Sequence, residues 1–156
     1  MWALGRLQYT PKAGLLTAIN SRSKAKLEQF SSKELGMLLK GMSQLNSLDK
    51  QLLADVAAGI SKEEAVALSC QDAARILAAY VKVPDAGTVK DVDGMATRIG
   101  AALQRKVHRV KPYIVANLLL CYSKLGCHAP VVFELLMAAT EDTANLSMSH
   151  WLSLLQ

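Results

Sequence analysis

Only three cysteines occur in the 156 residues, Cys70, Cys121 and Cys127. The number is odd and no two form a CxxC pair. Neither a disulfide framework nor a zinc site is indicated, and the three read as small buried hydrophobes in a reducing compartment. Aromatic residues are scarce at 5%, which disfavours a module that holds nucleic acid on a platform of surface aromatics. Long apolar runs are missing as well. Ile114–Tyr122 is interrupted by Asn117 and Val131–Ala139 by Glu134, well short of the ~18 residues that a bilayer span needs. Catalytic constellations are lacking too. His108, His128 and His150 stand far apart without ligand partners at metal spacing. There is no Gly-rich phosphate loop, nucleophile elbow or HExxH, and the paired carboxylates Glu63–Glu64 and Asp91/Asp93 sit in surface-like contexts. The expectation is a protein that is not an enzyme, with no catalytic residues, no metal, no cofactor and no small-molecule substrate.

What the chain does contain is enough apolar material for a core: 51% hydrophobic against 20% charged. Its net charge of +5 leans toward an anionic partner. That charge is uneven, with +4 over residues 1–30, −1 over 31–68, +3 over 69–110 and −1 over 111–156. The first acidic residue is Glu28. An acid-free opening with Ser, Arg and Lys is compatible with a mitochondrial transit peptide, and the same stretch also fits the repeat described next.

Apolar residues fall at i, i+3, i+4 and i+7 throughout, and no strict alternation persists, so the fold class is all-α. In residues 31–45 the apolar positions are Leu35, Leu38, Leu39, Met42 and Leu45. Shifted by 38 residues they become Ala73, Ile76, Leu77, Tyr80 and Val83, and by a further 42 they become Val115, Leu118, Leu119, Tyr122 and Leu125. Gly41 maps onto Ala79 and Cys121. Incomplete copies fall at Met1, Ala3, Leu4 and Leu7, and at Trp151, Leu154 and Leu155. Each copy of this helix, A, is followed by a second helix, B. The B helices are predicted over about 10–30, 47–60, 90–109 and 130–140, with stripes such as Leu15, Leu16 and Ile19, or Met95, Ile99, Leu103 and Val107. Pro11, Pro112 and Pro130 open helices, Gly126 suits a helix C-terminus, and 84–93 reads as a loop.

A pair of helices buries one face of each, and stacking on the next pair buries the rest. The predicted architecture is one α-solenoid of stacked antiparallel helix pairs with a repeat of about 38 residues over 1–156. It comprises a partial repeat at 1–30, repeats at 31–68, 69–110 and 111–146, and a partial repeat at 147–156. Both ends fall inside an A helix, so the chain is expected to be a segment of a longer protein or to dock its ends on neighbours.

The segments WALGRLQYTPKAGLLTAI at 2–19, FSSKELGMLLKGMSQL at 30–45 and KPYIVANLLLCYSKLG at 111–126 resemble the organellar octatricopeptide and heptatricopeptide repeat proteins, which are related in style to FAST-kinase-like and RAP-domain proteins. The resemblance covers essentially the whole chain. It implies RNA binding in a mitochondrion or a plastid, and in some lineages incorporation into the mitochondrial ribosome.

In such an array one helix of each pair lines a concave surface, here expected to be A. Its polar positions form three rows: Arg6, Gln44, Lys82 and Lys124; Met37, Arg75 and Asn117; Lys33, Gln71 and Tyr113. Cationic ladders suit phosphates, while Asn, Gln, Arg and Tyr reach base edges or stack. The alternative for every row is a solvated or protein-contacting face. The densest basic cluster is Arg105, Lys106, His108, Arg109 and Lys111, and a second is Arg22, Lys24 and Lys26. The first is a phosphate-contact candidate or a set of cations serving a helix C-terminus. The second is a candidate for RNA contact or for import.

Three functions compete at this stage. The first is a mitochondrial ribosomal protein of the matrix that contacts rRNA and the neighbouring proteins of that assembly. The second is a free organellar factor for transcript stability or processing. The third is a protein–protein scaffold of HEAT type with no RNA contact.

Overall fold

A computed structural model describes residues 11–84, 88–104, 106 and 110–127, together with Ala3, Leu7, Tyr9, Glu134, Leu135 and Met137. Among these residues the chain forms seven α-helices and no strand. They are α1 (Ala13–Ala25), α2 (Ser32–Gln44), α3 (Lys50–Gly59), α4 (Lys62–Ala67), α5 (Cys70–Val81), α6 (Val92–Leu103) and α7 (Pro112–Leu125), with a 3-10 turn at Leu27–Gln29.

The helix starts are chemically sealed. Ser31 begins α2 with a reciprocal pair of bonds: its hydroxyl accepts from the Glu34 amide, and the Glu34 carboxylate accepts from the Ser31 amide at 2.9 Å. Ser61 and Glu64 repeat the device for α4. Ser69 accepts from the Asp72 amide at α5, and Asp49 accepts from the Gln51 and Leu52 amides at α3. Each such cap satisfies amides that have no partner inside the helix and contributes about 1 kcal/mol. At the far end of α7, Gly126 takes the left-handed conformation at φ 67°, as its place after Leu125 predicts.

The predicted A helices coincide with α2, α5 and α7. Leu38, Leu39 and Met42 in α2, Ala73, Ile76, Leu77 and Tyr80 in α5, and Val115, Leu118, Leu119 and Tyr122 in α7 are all buried in one continuous core. The small-residue position, occupied by Gly41, Ala79 and Cys121, is buried in all three of these helices, whereas Ala3, its equivalent in the copy at 1–7, is exposed. Helix α5 packs against α2 and against α7. The remaining helices form a second set of contacts: α1 with α3, and α6 with both α3 and α4. Leu52, Leu53 and Val56 of α3, and Met95, Ile99 and Leu103 of α6, face the core.

Two tyrosine hydroxyls bridge the sets. Tyr80 donates to the Leu53 carbonyl at 2.7 Å, and Tyr122 donates to the Ala96 carbonyl at 2.9 Å. The two donors are 42 residues apart and the two acceptors 43, so the same kind of contact joins α5 to α3 and α7 to α6. Burial pushes both phenols well above their ordinary value.

Several boundaries differ from the sequence expectation. The first B helix is confined to Ala13–Ala25 and gives way to the 3-10 turn, and the third ends at Leu103. Helix α4 was not expected at all; it is a single short segment held by its Ser61–Glu64 cap. Leu15 is 49% exposed and Leu7 is 76% exposed. Both were expected in apolar stripes, but no described helix covers those faces. Of the copy at 1–7, Met1 and Leu4 lie outside the described residues, as do the last partial copy and most of the fourth B helix. Of the cysteines, Cys70 and Cys121 are buried, whereas Cys127 is half-buried and its thiol donates to Asp93 at 3.2 Å.

Replacing Tyr122 by Phe removes one buried hydrogen bond and leaves the ring in place. The expected loss is about 1 kcal/mol, read as a lower urea midpoint with unchanged slope. Leu118→Ala, which opens a cavity in the core, is expected to cost about 2–5 kcal/mol. A Tyr122→Phe variant as stable as the parent would show that the bridge contributes nothing.

Candidate nucleic-acid interface

Burying Tyr80 and Tyr122 fixes the rotation of α5 and α7, and that rotation decides which residues face the opposite way. Along α5 these are Gln71, Ala74, Arg75, Ala78 and Lys82; along α7 they are Tyr113, Asn117, Leu120 and Lys124. Together with Lys40, Ser43 and Gln44 of α2 they line one groove of about 750 Å³, within the ~300–1,000 Å³ typical of ligand sites. Small side chains, Ala74, Ala78, Ala79 and Cys121, are among its lining. Four lining residues are cationic, Lys40, Arg75, Lys82 and Lys124, and no carboxylate of the described residues lines it.

The groove therefore gathers Gln44, Lys82 and Lys124 of the first row, Arg75 and Asn117 of the second, and Gln71 and Tyr113 of the third. Lys33 and Met37 belong to α2 but do not line it. Arg6, Arg105, His108 and Arg109 lie outside the described residues. Lys40 and Ser43 were missed. Lys40 shares its repeat position with Ala78 and Leu120, so it stands alone in its row and gives no cationic ladder to detect.

The cations divide by what already occupies them. Arg75 donates to Asp72 at 2.8 Å. Lys40, Lys82 and Lys124 form no ion pair with any described carboxylate. Lys82 caps α5, and Lys124 lies in the last turn of α7, where positive charge is favoured by the helix dipole. Tyr113 is 40% exposed.

Away from the groove the basic residues hold helices together. Lys24 pairs with Asp49 at 2.9 Å and so ties α1 to the cap of α3. That contact holds the Asp49 carboxyl below its ordinary value. Arg98 donates to the Ile60 and Ala57 carbonyls, both at 2.8 Å, and to Asp91 at 2.9 Å, closing the end of α3. Lys106 donates to the carbonyls of Val66 and Leu68 at the end of α4. The basic cluster expected to meet phosphates thus has one described member whose ammonium serves a helix terminus, because the last carbonyls of α4 have no partner inside the helix. Lys111 is exposed at the start of α7 and stands apart from the groove, as do Arg22 and Lys26 at the end of α1.

Burial raises the Cys70 thiol and pushes Cys121 to about 12; burial, with Asp93 adding to it, pushes Cys127 to about 11. All three are then protonated near neutral pH, which is unfavourable for nucleophilic chemistry. Among the described residues no group of three His, Cys, Asp or Glu side chains is placed to hold a metal ion, and no helix is long and apolar enough to cross a membrane. No family model, curated protein or solved structure matches the chain.

The division of cations has a measurable consequence. Lys106→Met is expected to lower stability by about 1 kcal/mol, since it removes a charged donor from two helix-end carbonyls. Lys82→Gln is expected to stay within about 0.5 kcal/mol of the parent. Equal losses in urea denaturation would contradict the separation of structural from available cations.

Proposed function

We propose that the protein is an organellar RNA-binding helical repeat protein, and most concretely a mitochondrial ribosome component of the matrix that contacts rRNA. On this reading the two sets of helices are the two rows of an α-solenoid, with α2, α5 and α7 as its inner row and a repeat of about 38 residues. The observation that carries the proposal is the groove across that row. Residues from equivalent positions of three helices bring four cations together with Gln, Asn and Tyr, and no carboxylate of the described residues. A polyanion that also presents hydrogen-bonding edges and ring faces matches this chemistry. A purely apolar partner does not, because three lysine ammonium groups would have to be desolvated without a counter-charge.

RNA is favoured over a simple anion by the composition of the wall. Lysines provide point charges for phosphates, whereas Gln71, Asn117 and Tyr113 provide amide and aromatic contacts suited to bases. The mitochondrial assignment draws on the resemblance to organellar repeat proteins and on the acid-free, basic opening before Glu28. The proposed role is binding, supported by the cations and amides that line the groove.

Filter binding of a mitochondrial rRNA fragment across a salt series tests the proposal. Tight binding that weakens steeply with salt is expected. Replacing Lys40, Lys82 and Lys124 together by Gln should lower affinity at least about tenfold and flatten the log–log salt slope by about two, from the ~0.7 contributed per phosphate contact on single strands. Cosedimentation with mitochondrial ribosomes, lost after ribonuclease treatment, is expected in a matrix extract. Binding that ignores salt, or a triple variant with the parental slope, would overturn the reading. Recovery only in a ribonuclease-resistant protein complex would favour a scaffold.

A further inference from the structure

The groove is chemically graded along the helices that line it. Near the starts of α5 and α7 it carries Gln71 and Tyr113, followed one turn on by Arg75 and Asn117. At the other end it carries Lys82 and Lys124, with Gln44 of α2. The interval from Gln71 to Lys82 equals that from Tyr113 to Lys124, eleven residues in each case, or roughly 16 Å of helix rise. Side chains on a helix lean toward its N-terminus, so both lysines reach back along the groove toward the amide and aromatic end.

Tyr113 differs from the tyrosines on the opposite face of α5 and α7. Tyr80 and Tyr122 are buried and donate to carbonyls of α3 and α6. Tyr113 is 40% exposed, and its hydroxyl has no partner among the described residues. Its ring is not part of the buried core and lines the groove together with the amide side chains of Gln71 and Asn117. Amides offer donors and acceptors together, which suits base edges and not phosphates. The lysines at the opposite end have the reverse character.

We infer that Tyr113, with Gln71 and Asn117 beside it, is a base-stacking position for an unpaired nucleotide, and that Lys82 and Lys124 hold the phosphates of the same strand. The inference rests on the RNA-binding reading above and adds a direction to it: bases toward the starts of α5 and α7, backbone toward their ends. A base must leave a duplex to lie on an aromatic ring, so the site selects single-stranded segments.

The test uses the full chain and two probes, an oligouridylate and an oligomer of the same length and charge that lacks bases. Tyr113→Leu should weaken oligouridylate binding by about 5- to 150-fold, the range for loss of one base–aromatic stack. It should leave both the salt slope and binding of the base-free oligomer unchanged. Tyr113→Phe keeps the ring and should bind nearly as the parent. Lys82→Gln with Lys124→Gln should weaken both probes together and flatten the slope. Because Tyr113 is exposed, thermal denaturation of its variants should match the parent, which separates loss of contact from loss of fold. If Tyr113→Leu binds both probes as the parent does, the stacking position is wrong while RNA binding stands. If Tyr113→Leu loses the base-free oligomer to the same degree, Tyr113 acts on the backbone, and the direction is overturned. If the parent binds neither probe, the RNA reading fails, and this inference with it.

Discussion

A helix carbonyl already accepts one bond from within its own helix, so a side chain that donates to it must approach along the remaining lone pair and from a defined direction. Tyr80 and Tyr122 meet that demand at Leu53 and Ala96, through hydroxyls that are buried and cannot turn back to water. The rings fill space between the two sets of helices, and the hydroxyls set the rotation of α5 and α7 against α3 and α6. Everything on the opposite face follows from that rotation. Gln71, Arg75 and Lys82, like Tyr113, Asn117 and Lys124, reach one groove because Tyr80 and Tyr122 are held in the other direction.

The same geometry explains why basic residues of similar type have different roles. A helix ends with carbonyls that need donors, and the helices opposite the groove obtain them from Arg98 and Lys106. These contacts span about forty residues of sequence and join helices distant along the chain. Along the groove the lysines meet no described carboxylate, and their positive field is not cancelled locally. Fixed cations lie on one side and cations without a described counter-charge on the other, which is why the proposed RNA contact is assigned to the groove.

Much of the fold was legible because the buried stripe of the A helices repeats in identity as well as in spacing. Tyr80 and Tyr122 occupy the same position, and the 38- and 42-residue shifts align Leu38, Leu39 and Met42 of α2 with Ile76, Leu77 and Tyr80 of α5 and Leu118, Leu119 and Tyr122 of α7. The B helices were less legible. Their stripes are shorter, and their ends are set by caps: Ser61 and Glu64 create α4, whereas the third B helix stops at Leu103 and places Lys106 on α4. The groove was legible where a row repeats a polar residue, as with Lys82 and Lys124. Lys40 was invisible because its row continues as Ala78 and Leu120. The role of Lys106 was invisible because its partners are backbone carbonyls distant in sequence, and no side-chain pattern records them.

The most direct measurement is site-specific photocrosslinking of bound rRNA from single positions on the two faces. Ala78 and Leu120 line the groove, whereas Ala58 is exposed on α3 of the other set. A photoreactive side chain placed at 78 or 120 should crosslink RNA strongly, and one at 58 should not. Equal yields from all three positions, or a yield confined to position 58, would contradict an RNA-binding wall built by α2, α5 and α7.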